Sequence, residues 1–504
     1  MKTSESNQEI HGPVLLERMA TGVPGLDTVL GGGFVRGAIY LVMGRPGTGK
    51  TTFGNQICFT HVKRGGRAAY VTLLAESHAS MVKNLQTLSF FDAAAMNREL
   101  VYIGAYKALR DDKLRGLLGL LRQVIEDERA SLVVLDGIAP ARALAGSDLA
   151  LKEFIVELQV LGTMTNCTTV LLANMAAEDA NGPEHTMVDG LFELGFERSK
   201  RRTLRTLEVL KFRGSKHLLG RQELSITADG LFVYPRLEDL LATHLRPPAA
   251  SGRRMSTGLP GLDEMLGGGL LSGTTTVLLG FTGSGKTTLC MHFLDDGASR
   301  GENSLYFGFY EAPSRVLATA DQLGLKLREY EAAGTFAQIW QGAHEFGLDE
   351  LAERLLADIE RRKVQRVVID GIDALRQAAF EPDRMIRYLT ALTNELRARN
   401  ITTLITDETA KARGPEIELR IEGTSALAEN LILLEYVSVG TELRRMLSVV
   451  KQRSSSYQPE LREFTLNSRG IELSPDRSSA EAILRGADEL WSRTNRRSRA
   501  PESD

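Results

Sequence analysis

The chain has 504 residues, 43% of them hydrophobic and 25% charged, enough for two hydrophobic cores of roughly 200–250 residues each. No uncharged apolar run approaches the ~18 residues of a membrane helix, and the N-terminus lacks a basic-then-apolar leader, so the composition implies a soluble cytoplasmic protein without membrane insertion. A net charge of −3 argues against nucleic-acid binding by the surface as a whole and leaves room only for a local basic patch.

In chain order, the first recognisable element is the lead-in TGVPGLDTVLGGGFVRG at 21–37. A predicted strand at 38–43 runs into a glycine-rich loop, GRPGTGKTT, at 44–52. Predicted helices near 50–63, 78–90, 112–129 and 148–164 alternate with predicted strands at 67–74, 100–105, 131–136 and 168–173. That alternation is the pattern of an α/β fold, a mainly parallel sheet covered by helices on both faces. Residues 190–214 then read as two extended runs around a polar turn, antiparallel strands added to the sheet, with Arg198, Lys200, Arg201 and Arg202 at an exposed tip. Pro247, Pro248, Gly252 and two arginines mark 235–256 as a linker.

At 257–273 the lead-in returns as TGLPGLDEMLGGGLLSG, identical to the first copy at 11 of 17 positions. A strand at 275–280 and a second loop, GFTGSGKTT at 280–288, follow it. Strands at 304–310, 365–370 and 402–407 and an antiparallel pair within 430–454 repeat the first half. Beyond about residue 475 the chain is rich in Ser, Arg and Glu, with one amphipathic helix at 480–491 before a disordered end. The reading is two domains, 14–245 and 250–475, and a tail, 476–504. Cys58, Cys167 and Cys290 lie far apart and form no metal-binding spacing, so they read as buried thiols in a reducing compartment.

The two loops fit GxxxxGK[ST], a spacing that turns backbone N–H groups toward the β- and γ-phosphates of a nucleotide at a helix start. Gly44, Gly49, Lys50 and Thr51 fill the pattern, with Gly47, Thr48 and Thr52 completing the loop; Gly280, Gly285, Lys286 and Thr287, with Gly283, Ser284 and Thr288, repeat it. The lysine brings a cation to the phosphates and the threonine hydroxyl a ligand for Mg2+, so ATP and Mg2+ are the expected cofactors. Asp136 and Asp370 each end an apolar strand expected beside the loop, where a carboxylate orients the metal through water. Glu76 and Glu311, after the second strand of each half, are positioned to orient or deprotonate an attacking water. Lys211 and Arg213, like Lys451 and Arg453, lie two apart on a strand and so share one face, as paired cations reaching the γ-phosphate of a neighbouring subunit would.

With these motifs the chain resembles the KaiC family of tandem RecA-like ATPases, over nearly all of residues 14–475. The specific elements are the doubled TGxPGLDxxLGGG lead-in, both phosphate loops, the hairpin ELGFERSKRRTLRTLEVLKFRGSKH and the segment GTSALAENLILLEY. The resemblance implies two tandem RecA-like P-loop NTPase domains in a double-ring homohexamer with ATP bound between subunits. It also implies slow hydrolysis in the first ring and autophosphorylation on serine or threonine in the second. His217 joins Lys211 and Arg213 as a residue given to the adjacent subunit's ATP, and Ser425, beside Thr424, becomes the expected phosphoacceptor. Clock-type members carry two adjacent glutamates after the second strand, where this chain has Ala75-Glu76 and Tyr310-Glu311; Ala426 also stands where a second acceptor would be. A tyrosine hydroxyl, protonated at neutral pH, is a poor general base. Three functions follow: a self-phosphorylating signalling or clock ATPase, an ATP-dependent oligomeric binding module without self-phosphorylation, and a nucleic-acid motor, against which the absence of a distinct basic module speaks.

Overall fold

The computed structural model describes residues 16–73, 78–174, 183–199, 202–242, 252–342, 346–408, 427–439, 441–453, 456–475 and 477–483. The chain divides between Arg236 and Leu237 into two compact units. Among the described residues each is built on one nine-stranded mixed sheet with helices on its two faces.

In the first unit the spatial order begins with Leu100–Gly104, Ala68–Thr72, Leu132–Asp136, Thr168–Ala173, Ile39–Gly44 and Gly190–Ser199, all parallel. Arg202–Phe212, Arg221–Thr227 and Gly230–Tyr234 then extend the sheet in antiparallel fashion. The strand Ile39–Gly44 lies inside the sheet, so both of its faces are apolar. Ile39, Leu41 and Met43 join the core beneath Tyr106–Asp127 and Asp148–Thr165, whereas Tyr40 and Val42 pack with Phe53 and Ile57 of the helix Lys50–Lys63. The period-2 alternation of a strand thus seats the phosphate-loop helix on one face and two long helices on the other.

The second unit repeats the order: Phe336–Trp340, Ser304–Gly308, Arg366–Asp370, Thr402–Glu408, Thr275–Gly280, Asn430–Val439, Glu442–Gln452, Leu461–Asn467 and Gly470–Leu473. Val277 and Leu279 face Leu348–Arg362 and Met385–Ala398, and Leu278 faces Lys286–Ser299. The repeated lead-in has a local cause. Asp27 Oδ1 accepts from the N–H and hydroxyl of Thr21 at 2.9 and 2.7 Å, and Asp263 Oδ1 does the same for Thr257 at 2.8 and 2.7 Å.

The structure adds elements that the sequence reading leaves unassigned: the edge strand Phe336–Trp340 and the hairpins Arg221–Tyr234 and Leu461–Leu473. The helix Leu237–Ala242, which that reading assigns to the end of the first domain, packs within the second unit against Met385–Ala398. Arg384 holds it, donating to Glu238 at 2.5 and 2.8 Å and to Asp349 at 2.5 Å. All three cysteines are buried and unpaired. No helix among the described residues is long and apolar enough to cross a membrane.

Candidate active sites

Both phosphate loops connect the inner strand to its helix at the C-terminal edge of the parallel strands, where open α/β sheets bind ligands. The tight path requires glycine at defined places. A Cβ on Gly44 would lie 2.3 Å from Leu194 O, and one on Gly280 would lie 2.4 Å from Leu434 O. Gly49 and Gly285 open the two helices at φ 106° and 105°, a left-handed conformation that glycine adopts without strain. Lys50 Nζ donates to the carbonyls of Gly44 and Arg45 at 2.8 and 3.0 Å; Lys286 Nζ donates to Gly280 and Phe281 at 2.9 and 2.8 Å. Both lysines are buried, and burial lowers their pKa values, opposed by Asp136 in the first unit and by Glu408 and Asp370 in the second. Each ammonium is held against the first two carbonyls of its loop.

The strand ending in Asp136 is not the immediate sheet neighbour of the loop's strand; Thr168–Ala173 lies between them, and Thr402–Glu408 does so in the second unit. The helix crossing over the sheet closes that gap. Thr51 Oγ1 donates to Asp136 Oδ2 at 3.4 Å, and Thr287 Oγ1 to Asp370 Oδ2 at 3.0 Å. A hydroxyl beside a carboxylate offers the hard oxygen ligands that Mg2+ takes, with phosphate and water supplying the rest. No cluster of three or more acidic, histidine or cysteine side chains able to hold a metal occurs among the described residues.

The sequence reading missed a third partner. Tyr70 Oη donates to Asp136 Oδ2 at 2.5 Å, and Tyr306 Oη donates to Asp370 Oδ2 at 2.6 Å. Burial first, and then the aspartate charge, raise both tyrosine pKa values far above the ordinary one, so the hydroxyls remain donors. The available signal was a tyrosine at the same place in RAAYVTLL and SLYFGFY; inside an apolar strand it reads as core. Asp370 also accepts from Thr406 Oγ1 at 2.6 Å.

The second unit encloses a cleft of about 620 Å³ lined by Lys286, Thr287, Glu311, Asp370, Tyr310 and Glu408. Glu311 therefore shares one cavity with the loop and Asp370. In the first unit a cleft of about 380 Å³ lies beside Thr51 and Thr52, walled by Met81, Asn84, Leu85 and Ile226. Glu76, Thr424 and Ser425 lie outside the described residues.

The cations at the ends of the antiparallel strands are not gathered at the loop of their own unit. Lys211 pairs in register with Leu191, which pairs with Leu41 near the start of the loop's strand, and the N–H of Arg213 bonds Asp189 O. At ~3.3 Å per residue they stand more than ~10 Å down the strand direction from the phosphate loop. Lys211 Nζ donates to Thr186 O at 2.8 Å and Arg213 lies 3.7 Å from Asp189, with the buried Phe212 between them; His217 lies near, its ring 6.4 Å from that of Phe212. Lys451 likewise donates to Ala428 O at 2.8 Å, and Arg453 N–H bonds Glu429 O. Desolvation, and then the adjacent arginine, lower the pKa values of Lys211 and Lys451.

Relatives match this chain along most of its length. Three proteins named circadian clock oscillator protein KaiC are similar to it. The one from Parathermosynechococcus lividus is 26% identical over 94% of this chain and 88% of its own length. That of a Picosynechococcus species is 25% identical and that of Synechococcus elongatus 24%, each over 96% of this chain and 94% of the relative. A family model described as an ATPase, KaiC, matches residues 19–238 and again residues 255–478, one match on each sheet and its phosphate loop. The duplicated loops, the carboxylates beside them and the doubled match together make this chain a member of the KaiC family of ATPases.

Proposed function

We propose that both units bind MgATP at their phosphate loops and hydrolyse it, within a homohexamer whose nucleotides lie between subunits. The observation that carries this reading is the twice-repeated group of loop lysine, loop threonine, strand aspartate and tyrosine. Lys50 and Lys286 bind phosphate oxygens; Thr51 with Asp136, and Thr287 with Asp370, hold Mg2+, which neutralises charge on the phosphates. Glu76 and Glu311 orient the attacking water and accept its proton. The first-unit slot between Met81, Leu85 and Ile226 suits a flat base.

Lys211, Arg213 and His217, and Lys451 with Arg453 in the second ring, serve the γ-phosphate of the adjacent subunit. Their distance from their own loop along the strands supports an assignment in trans. The second unit further transfers phosphate to Ser425 or Thr424, coupling nucleotide state to circadian-type or stress signalling with a protein partner. The relatives' printed names support the signalling role.

One observation favours a second reading, a signalling ATPase without self-phosphorylation. Tyr310 lines the second cleft next to Glu311, at the position where clock-type members carry a further glutamate. Phosphopeptide mass spectrometry after incubation with MgATP, beside the Lys286→Ala variant, decides between them. Phosphate on Ser425 or Thr424 that vanishes in the variant supports the autokinase. ATP consumption with neither residue phosphorylated leaves the second reading.

A further inference from the structure

One difference between the two phosphate loops has two sides. Glu408 ends the strand Thr402–Glu408 and is paired in register with Gly280, the first residue of the second loop. One of its carboxylate oxygens, Oε1, accepts from Thr282 Oγ1 at 2.7 Å. It lines the same cleft as Lys286, Thr287 and Asp370. Its charge also bears on the Lys286 ammonium more strongly than that of Asp370 or of Asp407.

In the first unit neither half of this contact exists. The strand Thr168–Ala173 pairs with Ile39–Gly44 such that Ala173 lies opposite Met43, which carries Asn174 to the place of Glu408. Pro46, two residues after Gly44, stands where Thr282 stands after Gly280. A neutral amide replaces the carboxylate, and the hydroxyl that anchors it is missing.

The loop lysine is the group that reaches the β- and γ-phosphates. A carboxylate tied to the same loop and facing that ammonium competes with the terminal phosphate for the cation and repels its charge. A nucleoside diphosphate, which ends one phosphate earlier, feels less of this. On the reading that both loops are nucleotide sites, we propose that Glu408 sets the preference of the second site, disfavouring triphosphate relative to diphosphate, and that the first site lacks this discrimination. Glu408 is thereby a specificity-determining residue that makes the two sites of one chain unequal for a given ATP-to-ADP ratio.

The test is isothermal titration calorimetry on the full chain, with the first site silenced by Lys50→Ala, using MgADP and a non-hydrolysable Mg-bound ATP analogue. Glu408→Gln keeps the side-chain shape and a partner for Thr282. The expected result is a roughly tenfold fall in the ratio of triphosphate to diphosphate dissociation constants, carried by tighter triphosphate binding, with the diphosphate nearly unchanged. The converse, Pro46→Thr with Asn174→Glu in a chain silenced by Lys286→Ala, raises the ratio at the first site. An unchanged ratio in Glu408→Gln overturns the proposal, whether or not turnover also falls. So does weaker triphosphate binding, which would make the carboxylate a metal-binding group. If neither nucleotide binds the Lys50→Ala chain, the reading of the second loop as a nucleotide site fails first.

Discussion

At the scale of single residues, the aspartate of each site is held by more than the loop. Asp370 Oδ2 receives hydroxyls from Tyr306 and Thr287, while Oδ1 receives Thr406. A charge-assisted hydrogen bond of this kind contributes about 1.5–3 kcal/mol, so each donor helps to hold the carboxylate in one orientation. Tyr306→Phe removes the hydroxyl and keeps the ring in its apolar strand. Its apparent Mg2+ affinity in nucleotide binding should fall about tenfold, with ADP binding in the absence of metal unchanged. Titration with Mg2+ at fixed nucleotide checks this, and an unaltered curve would make the tyrosine a packing residue only. Asp136 with Tyr70 and Thr51 repeats the arrangement, without the counterpart of Thr406, because Leu172 occupies that strand position.

At the scale of elements, inner strands and edge strands were unequally legible. AIYLVM, SLVVLD and TTVLLA are continuous apolar runs because they are covered on both faces, and their bounds were read to within a residue or two. Phe336–Trp340 lies at the sheet edge with a polar residue in its middle, and Leu461–Asn467 is interrupted by the adjacent charges Arg462 and Glu463, so neither stands out from a loop. Leu237–Ala242 carries no signal of which unit owns it. It is tied to the second unit by the buried Arg384, which pairs with the half-buried Glu238 and with the buried Asp349, whose Oδ1 also accepts the Leu237 N–H at 3.1 Å. Arg384→Ala removes the cation from beside the buried Asp349, and loss of one partner of a buried pair costs roughly 3–5 kcal/mol. Limited proteolysis should then cut within 237–242 while the first unit stays intact. Wild-type resistance there would show that apolar packing alone retains the helix.

At the scale of the whole molecule, each unit is a complete sheet with a phosphate loop at one end of its parallel strands and a cation pair toward the other. On the proposed function, the cation end of one copy meets the loop end of the next, a head-to-tail contact of the kind that closes into a ring. This is tested by mixing. With the second site silenced by Lys286→Ala throughout, Lys50→Ala and Arg213→Ala chains should each be inactive. An equal mixture, reassembled, should recover about a quarter of the control turnover, because a random ring pairs an intact loop with an intact arginine at one interface in four. No recovery would place Arg213 in cis, and an active Arg213→Ala chain would place it outside the site.

The sequence by itself determined the chemistry that is local. The two loops, their lysines and threonines, and the strand-ending aspartates are fixed by spacing within a few residues, and the inner strands by uninterrupted apolar runs. Only the tertiary structure decided what depends on which strands lie side by side. It inserted Thr168–Ala173 between the loop's strand and that of Asp136, turned two apparently core tyrosines onto the aspartates, and brought Glu408 to Thr282 across 126 residues of chain. Strand order and register arise from packing of the whole sheet against its helices, and no window of sequence contains that information.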